Sequence, residues 1–479
     1  MFLRQITDPS LAQNAYLIGC QRSGEAIVID PERDLDRYFA VAAENGLRIT
    51  AVAETHIHAD YLSGARELVE RYGVIAYLSE EGGPDWQFEW AKVKPGVQFL
   101  RDGHTFKVGN ITLKATHSPG HTPEHLSFLV TDNGGGADEP IALLSGDFIF
   151  VGDVGRPDLL ESAAGQAGMM EPSARTLYES LRRTSELPEY LQILPAHGAG
   201  SACGKALGAV PVSVLGYERR FNGALREALR GTADEFVKDI LAGQPEPPLY
   251  FARMKRDNRL GPALLPEGKL PEPRQIQARE LVRWIGVADH AVLDLRSDRN
   301  AFMKQHVRGS IFAPLAGGKL PLSAGSYVAE GSKILLVVEN DSQLDSAVRQ
   351  LVRVGLDNVI AWILAAEATQ VHGLVSFIPT MQTDGLADAL AEDPGAVVLD
   401  VRGADEFSAG HVEGALNIAY TRLAEHLGDL PDRQSVYVHC GSGLRAAMAV
   451  SFLASKGVDV VHVDGSYDAI RSRDALPTS

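Results

Sequence analysis

The chain has 479 residues, 45% of them hydrophobic, with 45 Lys and Arg against 62 Asp and Glu, a formal net charge of -17. That length is too great for one ordinary core and suggests about three domains, each apolar enough to bury its own. The acidic balance argues against nucleic acid or an anionic membrane as a main partner, and an anionic small substrate would need local positive charge from a metal or a placed Arg.

In chain order, residues 14–31 predict two strands around an Arg22-Ser23-Gly24 turn, with Cys20 a small hydrophobe at the end of the first. Ile49 to Ala53 is an apolar run that predicts a buried strand. Leu62, Ala65, Leu68, Val69 and Tyr72 then recur at helical spacing behind a Ser63 cap. Between strand and helix lies Thr55-His56-Ile57-His58-Ala59-Asp60-Tyr61. Two imidazoles and a carboxylate on so short a turn suit a borderline divalent metal held by a rigid strand end. Further strands at Ile111 to Ala115, Ile141 to Leu144 and Leu191 to Leu194 run straight into SPGHTPEH, SGD and PAHG. Apolar strands thus repeatedly deliver His or Asp at their ends, and one sheet system can converge those ends on one point. The candidate ligands are His56, His58, Asp60, His121, Asp147 and His197.

The Pro-rich, weakly periodic residues 244–274 predict a linker that closes a first domain at 1–243. Beyond it the chain repeats itself. VLDLRSDRNAFMKQHVRGS at 292–310 matches VLDVRGADEFSAGHVEGA at 398–415, pairing Asp294 with Asp400, Arg296 with Arg402 and His306 with His411. Strands alternating with helices in both copies, 275–373 and 374–479, predict mainly parallel sheets. In the last copy, the strand Ser435 to His439 ends at Cys440-Gly441-Ser442-Gly443-Leu444-Arg445, and a helical pattern follows. Glycines let backbone N–H groups turn inward around the sulfur, and the helix N-terminus adds partial positive charge. Such a loop suits an anionic sulfur and a persulfide-forming nucleophile. The middle copy has Glu339-Asn340-Asp341-Ser342 at that place, no cysteine between 204 and 439, and Ala301 where its sister has Glu406. Unable to form a persulfide, it is expected to be inactive, serving as a spacer, a dimer surface or a wall of the active site.

The first 250 residues resemble the metallo-β-lactamase superfamily through THIHADY, SPGHTPEH, SGD and PAHG in order. The resemblance implies an αβ/βα sandwich with the metal at one edge. Where glyoxalase-type dinuclear hydrolases carry a second metal-site His after the Asp, this chain has Tyr61; the branch it most resembles is the persulfide dioxygenases. That resemblance implies one Fe(II) per chain on His56, His121 and Asp147, with coordination positions left open for O2 and a substrate sulfur. His58, Asp60 and His197 would orient those ligands or, alternatively, ligate. Gly155-Arg156-Pro157-Asp158 resembles the family's GRTD segment, and Arg156 either offers its guanidinium fork to a substrate carboxylate such as glutathione's or forms a surface ion pair with Asp158. Tyr61 is expected at the substrate, and His117 and His125 are expected to pack around His121. Cys203, six residues past His197, is either buried and inert or an accessory thiol whose thiolate Lys205 favours.

The last domain resembles rhodanese sulfurtransferases through LDVR with Asp400 and Arg402, EF with Glu406 and Phe407, GHVEGA with His411, and the CGSGLR loop. The spacing from Cys440 to Arg445 is one residue shorter than in the phosphatases that share this architecture. The resemblance implies that Cys440 accepts sulfane sulfur and Arg445 closes the loop formed by Gly441, Ser442, Gly443 and Leu444. Asp400 and Arg402 would hold the scaffold. The expected fold class is therefore α/β, a metallo-β-lactamase sandwich followed by two rhodanese-like domains. The expected function is oxidation of glutathione persulfide, or another low-molecular-weight persulfide, by O2 to sulfite and thiol, coupled through Cys440 to sulfur transfer that yields thiosulfate. Two alternatives stay open: a glyoxalase II-like zinc thioester hydrolase with one or two zinc ions, and a non-catalytic sulfur-binding sensor or scaffold. The three cysteines, Cys20, Cys203 and Cys440, are odd in number and dispersed, which argues against a disulfide framework. With no signal-peptide layout at Met1-Phe2-Leu3-Arg4 and no apolar run of roughly 18 residues, a cytoplasmic homo-oligomer, dimer or tetramer, is expected.

Overall fold

The computed structural model describes residues 1–162, 168–205, 207–393, 395–431 and 434–472. The chain divides into two compact units, Met1–Lys269 with Arg353–Gly355, and Leu270–Val352 with Leu356–Ser479. Two six-stranded sheets, each with strands in chain order, form the first unit. In the first sheet Phe2–Asp8, Gln13–Cys20 and Glu25–Ile29 run antiparallel, and Arg48–Ala53, Ile75–Ser79 and Val97–Leu100 join in parallel. The second holds Thr105–Val108, Ile111–His117, Leu126–Asp132, Ala142–Gly146, Gln192–Pro195 and Ser213–Val214, and Ala142–Gly146 with Gln192–Pro195 is its one parallel pair.

Successive side chains of a strand point to opposite faces, so Gln13–Cys20, buried along its whole length, feeds two cores. Tyr16, Ile18, Ile27 and Ala53 meet Phe106, Leu113, Phe128 and Leu144 of the other sheet. Ala15, Leu17, Val28 and Val52 instead pack under Tyr38 of the helix Asp36–Glu44 and Leu68 of the helix Ala65–Tyr72. Leu143 and Ile193, on the outer face of the second sheet, pack against Leu177 and Leu181 of the helix Met170–Arg183. Helix, sheet, sheet and helix layers result, the metallo-β-lactamase fold.

Residues 244–274 differ from the expected linker. Tyr250–Leu260 is a helix that buries Tyr250, Phe251, Met254 and Asn258 within the first unit. Pro245, Pro247 and Pro248 all precede its first turn, where proline is tolerated, so the composition concealed the helix. Its Asn258 amide donates to the carbonyl oxygens of His58 (2.8 Å) and Tyr61 (2.7 Å) and accepts from the Ser63 N–H (2.8 Å). The supposed linker therefore pins the histidine-bearing loop.

Two five-stranded sheets form the core of the second unit. One is ordered Arg274–Gln275, Val359–Leu364, Lys333–Val338, His290–Asp294, Ile311–Phe312, and the other Thr380–Gln382, Val460–Asp464, Val436–His439, Val397–Asp400, Leu416–Asn417. Relative to the chain the two orders are identical, and every adjacent pair is parallel. The repeat extends to side chains. Arg296 forks onto Asp294 and donates to the Gln305 carbonyl, as Arg402 forks onto Asp400 and donates to the Gly410 carbonyl. Phe302 stacks on His306 at 4.2 Å as Phe407 stacks on His411 at 3.7 Å. No helix among the described residues is long and apolar enough to cross a membrane.

Candidate metal centre and sulfur loop

His56, His121 and Asp147 each contribute a ligand atom to one buried cluster whose atoms lie within 4.8 Å of one another. Asp147 Oδ2 is 3.5 Å from His121 Nε2 and 4.0 Å from His56 Nε2. The orientation of each ring has a cause. His121 Nδ1 hydrogen-bonds to the Arg156 carbonyl oxygen (3.0 Å), which leaves the Nε2 lone pair facing Asp147. The Thr55 hydroxyl donates to Asp30 Oδ2 (2.9 Å), so it accepts from His56 Nδ1 (2.9 Å) and frees that Nε2 as well. Burial, reinforced by the neighbouring imidazoles, holds His56 well below the ordinary histidine value. Burial likewise lowers His121 against the pull of Asp147. Both shifts favour the neutral ring, the form that ligates. The Asp147 N–H donates to His125 Nε2 (3.0 Å), whose Nδ1 bonds to Ser118 Oγ (2.9 Å). Gly146, at φ +54°, permits this turn, because a Cβ there would lie 2.6 Å from His125 Nε2 and 2.7 Å from Thr55 Oγ1.

Among the described residues neither carboxylate oxygen of Asp147 has a hydrogen-bond partner, nor has Asp60 Oδ2 or either ring nitrogen of His197, and all of them are buried. Buried polar atoms without partners are costly. A divalent cation is the group that satisfies this set, and imidazole nitrogens with a carboxylate suit Fe, Zn or Mn.

His58 turns its Nε2 away from that cluster, to Glu54 Oε2 (3.0 Å) and Asp30 Oδ1 (3.2 Å). Burial opposes its charge, yet Asp30 and Glu54 prevail and hold it well above the ordinary value. The Tyr61 ring packs on it at 4.5 Å. Tyr61 is wholly buried, its hydroxyl donating to the Asp30 carbonyl oxygen (3.1 Å) and accepting from Gln13 Nε2 (3.3 Å). It braces the loop rather than facing a substrate, contrary to expectation.

Arg156 also departs from its expected substrate role. It is 1% exposed. Nε and Nη2 grip Asp158 (3.0 and 2.7 Å), Nη1 donates to the Ala202 carbonyl (3.0 Å) and Nη2 to that of Pro245 (2.5 Å). The ion pair with Asp158 forms, but in the interior rather than at the surface where the sequence reading placed it. Arg156→Ala would strand the Asp158 carboxylate in the interior and loosen the carbonyl that orients His121. A loss of about 3–5 kcal/mol in unfolding free energy is expected, checked by denaturant titration, together with reduced metal content.

Asp60, His197 and Cys203 form a second buried group with ligand atoms within 4.8 Å of one another. His197 Nε2 is 3.3 Å from Asp60 Oδ2 and 3.5 Å from Asp147 Oδ1, so this group adjoins the first. Burial, then Asp60 and Asp147, push the Cys203 thiol well above its ordinary value, and Lys205 Nζ donates to the Ala242 carbonyl. Burial and the two carboxylates thus outweigh any cation near this thiol and favour its neutral form. Sequence reasoning also missed Asp30 and Glu54. Asp30 follows the strand Glu25–Ile29 as His56 follows Arg48–Ala53, and a non-glycine φ of +52° marks it. Its strand-end position was the available signal.

In the second unit, Cys440 lies between the strand Val436–His439 and the helix Leu444–Ser455. The Gly443 N–H (3.1 Å) and Ala446 N–H (3.4 Å) donate to its sulfur. Arg445 forks onto Glu406 at 2.5 and 2.7 Å. Gly443 sits at φ +86°, where a Cβ would collide with Asp464.

Comparison with known proteins agrees with both halves of this description. The metallo-beta-lactamase superfamily model matches residues 9–197, and a rhodanese-like domain model matches residues 383–473. A crystal structure of a metallo-beta-lactamase from Staphylococcus aureus subsp. aureus COL is 37% identical, covers 76% of this chain and 98% of its own, and has a TM-score of 0.65. A probable metallo-hydrolase of Burkholderia pseudomallei is 28% identical over 300 residues, 57% of this chain and 95% of its own. The mitochondrial persulfide dioxygenase of Bos taurus is 29% identical over 245 residues, 50% of this chain and 80% of its own. The chain belongs to the metallo-β-lactamase superfamily. Within it, this member joins the metal-binding fold to a C-terminal rhodanese-like domain. The rhodanese match covers the last copy only, and the kinship of the middle copy rests on its strand order and repeated side-chain contacts.

Proposed function

We propose that the protein is a persulfide dioxygenase carrying a sulfurtransferase domain. The reaction is RSSH + O2 + H2O giving RSH, sulfite and two protons, with glutathione persulfide the leading substrate. His56, His121 and Asp147 would hold a single Fe(II). Such an ion supplies one-electron chemistry toward O2 and open positions for a sulfur ligand. The chain's own residues fix the neutral tautomers through Thr55 and the Arg156 carbonyl, and the buried His58 cluster stiffens the loop that carries His56. Cys440 would carry sulfane sulfur in the second unit, and having both sites on one chain raises the effective concentration of the shared sulfur species.

The observation that carries this reading is the placement of Tyr61. Its phenol is spent on the Asp30 carbonyl and supplies no second-metal ligand after Asp60. Oxygen-electrode measurement with glutathione persulfide tests it. One O2 consumed per sulfite formed is expected; turnover of S-lactoylglutathione with no O2 uptake would defeat it. A second reading, a dinuclear zinc hydrolase, is favoured by one observation, the Asp60, His197 and Cys203 group beside Asp147.

A further inference from the structure

We propose that Glu124 is a positioning residue of the metal centre, its side chain tying the loop that carries His56 to the loop that carries His121 and so setting how the two rings meet a cation. The proposal rests on the reading of His56, His121 and Asp147 as metal ligands. Glu124 stands three residues past His121 and directly before His125, and its side chain is wholly buried. Its Oε1 accepts the Ile57 N–H at 2.7 Å. Ile57 lies between His56 and His58, so one side chain bridges both histidine motifs.

The bridge takes over where the sheet stops. The Leu126 N–H, at the start of the strand Leu126–Asp132, donates to the Thr55 carbonyl oxygen (2.8 Å). The residues just before Leu126 leave the sheet, and there the Glu124 side chain reaches across to the next inward amide, that of Ile57. The Thr55 N–H is likewise taken by Asp30 Oδ1 (2.7 Å), so two acidic side chains hold alternate amides of the histidine-bearing loop. Ile57 is itself buried, and its N–H has no water to turn to if that acceptor is lost. The Nδ1 bonds to Thr55 and to the Arg156 carbonyl set how each ring is turned. The separation of the two loops is set instead by the backbone bond at Thr55 and the bridge at Ile57. On that spacing the His56 and His121 ring centroids stand 4.9 Å apart, edge to face at 88°.

Glu124 is held from behind. Gly82, at φ +82°, approaches so closely that a Cβ there would lie 2.8 Å from both the Cβ and the N of Glu124 and 2.9 Å from the Cβ of Trp86. Trp86 is buried and carries the Lys255 ammonium over its ring at 3.4 Å. Lys255 belongs to the helix Tyr250–Leu260, whose Asn258 holds the carbonyls of His58 and Tyr61. Glu124 Oε2 has no hydrogen-bond partner among the described residues, which leaves Oε1 to carry the tie. Burial pushes the carboxyl up to about 7 against the pull of the Ile57 N–H, and in either protonation state Oε1 can accept that bond.

The test uses the full chain, stripped of metal and titrated with Co(II) against a competing chelator while the visible absorption, which reports ligand geometry, is recorded. Glu124→Asp keeps the charge but is one methylene too short for Ile57; Glu124→Gln keeps the reach and drops the charge. Glu124→Asp is expected to weaken Co(II) binding by about 10–100-fold and to alter the spectrum, while Glu124→Gln recovers the wild-type spectrum and an affinity within about threefold of wild type. Wild-type affinity and spectrum in Glu124→Asp would overturn the proposal. So would equal weakening in both variants, which would assign the effect to charge, and weakened binding by Glu124→Gln decides against it even if Glu124→Asp does not fold. A wild-type chain that binds no Co(II) would overturn the metal-centre reading and the bridge with it. Tight Co(II) binding that follows the expected pattern, in a chain whose iron form oxidises no persulfide, would defeat the dioxygenase reading and uphold Glu124.

Discussion

Asp147→Ala is expected to abolish metal retention and oxygen uptake together, with a loss well beyond the roughly 10–100-fold that follows removal of an outer partner of a ligand. Asp147 is the carboxylate that joins His56 and His121 in the cluster among the described residues, and its Oδ1 also faces His197 at 3.5 Å. Neither of its oxygens has a hydrogen-bond partner among the described residues, so a bound cation is the main partner the side chain would lose. The metal-free variant should accordingly be as stable as metal-free wild type, or more so, since an uncompensated buried charge has been removed. Elemental analysis, oxygen uptake and thermal unfolding of both apo-proteins check the three parts. A metal-free variant much less stable than metal-free wild type would assign Asp147 a structural role instead. His58→Gln, by contrast, touches a ring that faces Glu54 and Asp30, and should cost only the smaller factor.

Cys440→Ser should lower sulfur transfer by about 10³-fold or more, as loss of a covalent nucleophile does elsewhere. Oxygen uptake with glutathione persulfide should continue, because its ligands lie in the other unit. A serine oxygen can accept the same Gly443 and Ala446 N–H groups but cannot hold sulfane sulfur. Mass spectrometry after thiosulfate treatment should find a 32 Da adduct on the wild-type Cys440 peptide and none on the variant. Unchanged transfer in the variant would shift the carrier role to another thiol.

These expectations follow from features that were unevenly legible in the sequence. Strand-end delivery of His56, His121 and Asp147 was readable, because an apolar run followed by a polar cluster is a local signal. The repeat was readable too, since Asp294 with Arg296 and Asp400 with Arg402 recur at one spacing and make the same fork. Pairings between distant positions were not. Asn258 bonds to His58, 200 residues away, and Arg156 reaches Ala202 and Pro245; no periodicity announces such contacts. Lys205 shows the converse case, since adjacency to Cys203 in sequence suggested an influence, whereas its ammonium donates to the Ala242 carbonyl and burial with Asp60 and Asp147 raises the thiol. Proline content hid the helix Tyr250–Leu260 because the prolines precede it rather than interrupt it.

The central claim is that one redox-active ion, held by two histidines and one aspartate, serves the first unit. Elemental analysis of anaerobically purified protein, with oxygen uptake on the same sample, tests it most directly. One iron per chain and O2 consumption dependent on persulfide is the predicted result. Two zinc ions per chain, the second on Asp60, His197 and Cys203, with thioester hydrolysis and no O2 consumption, would contradict it.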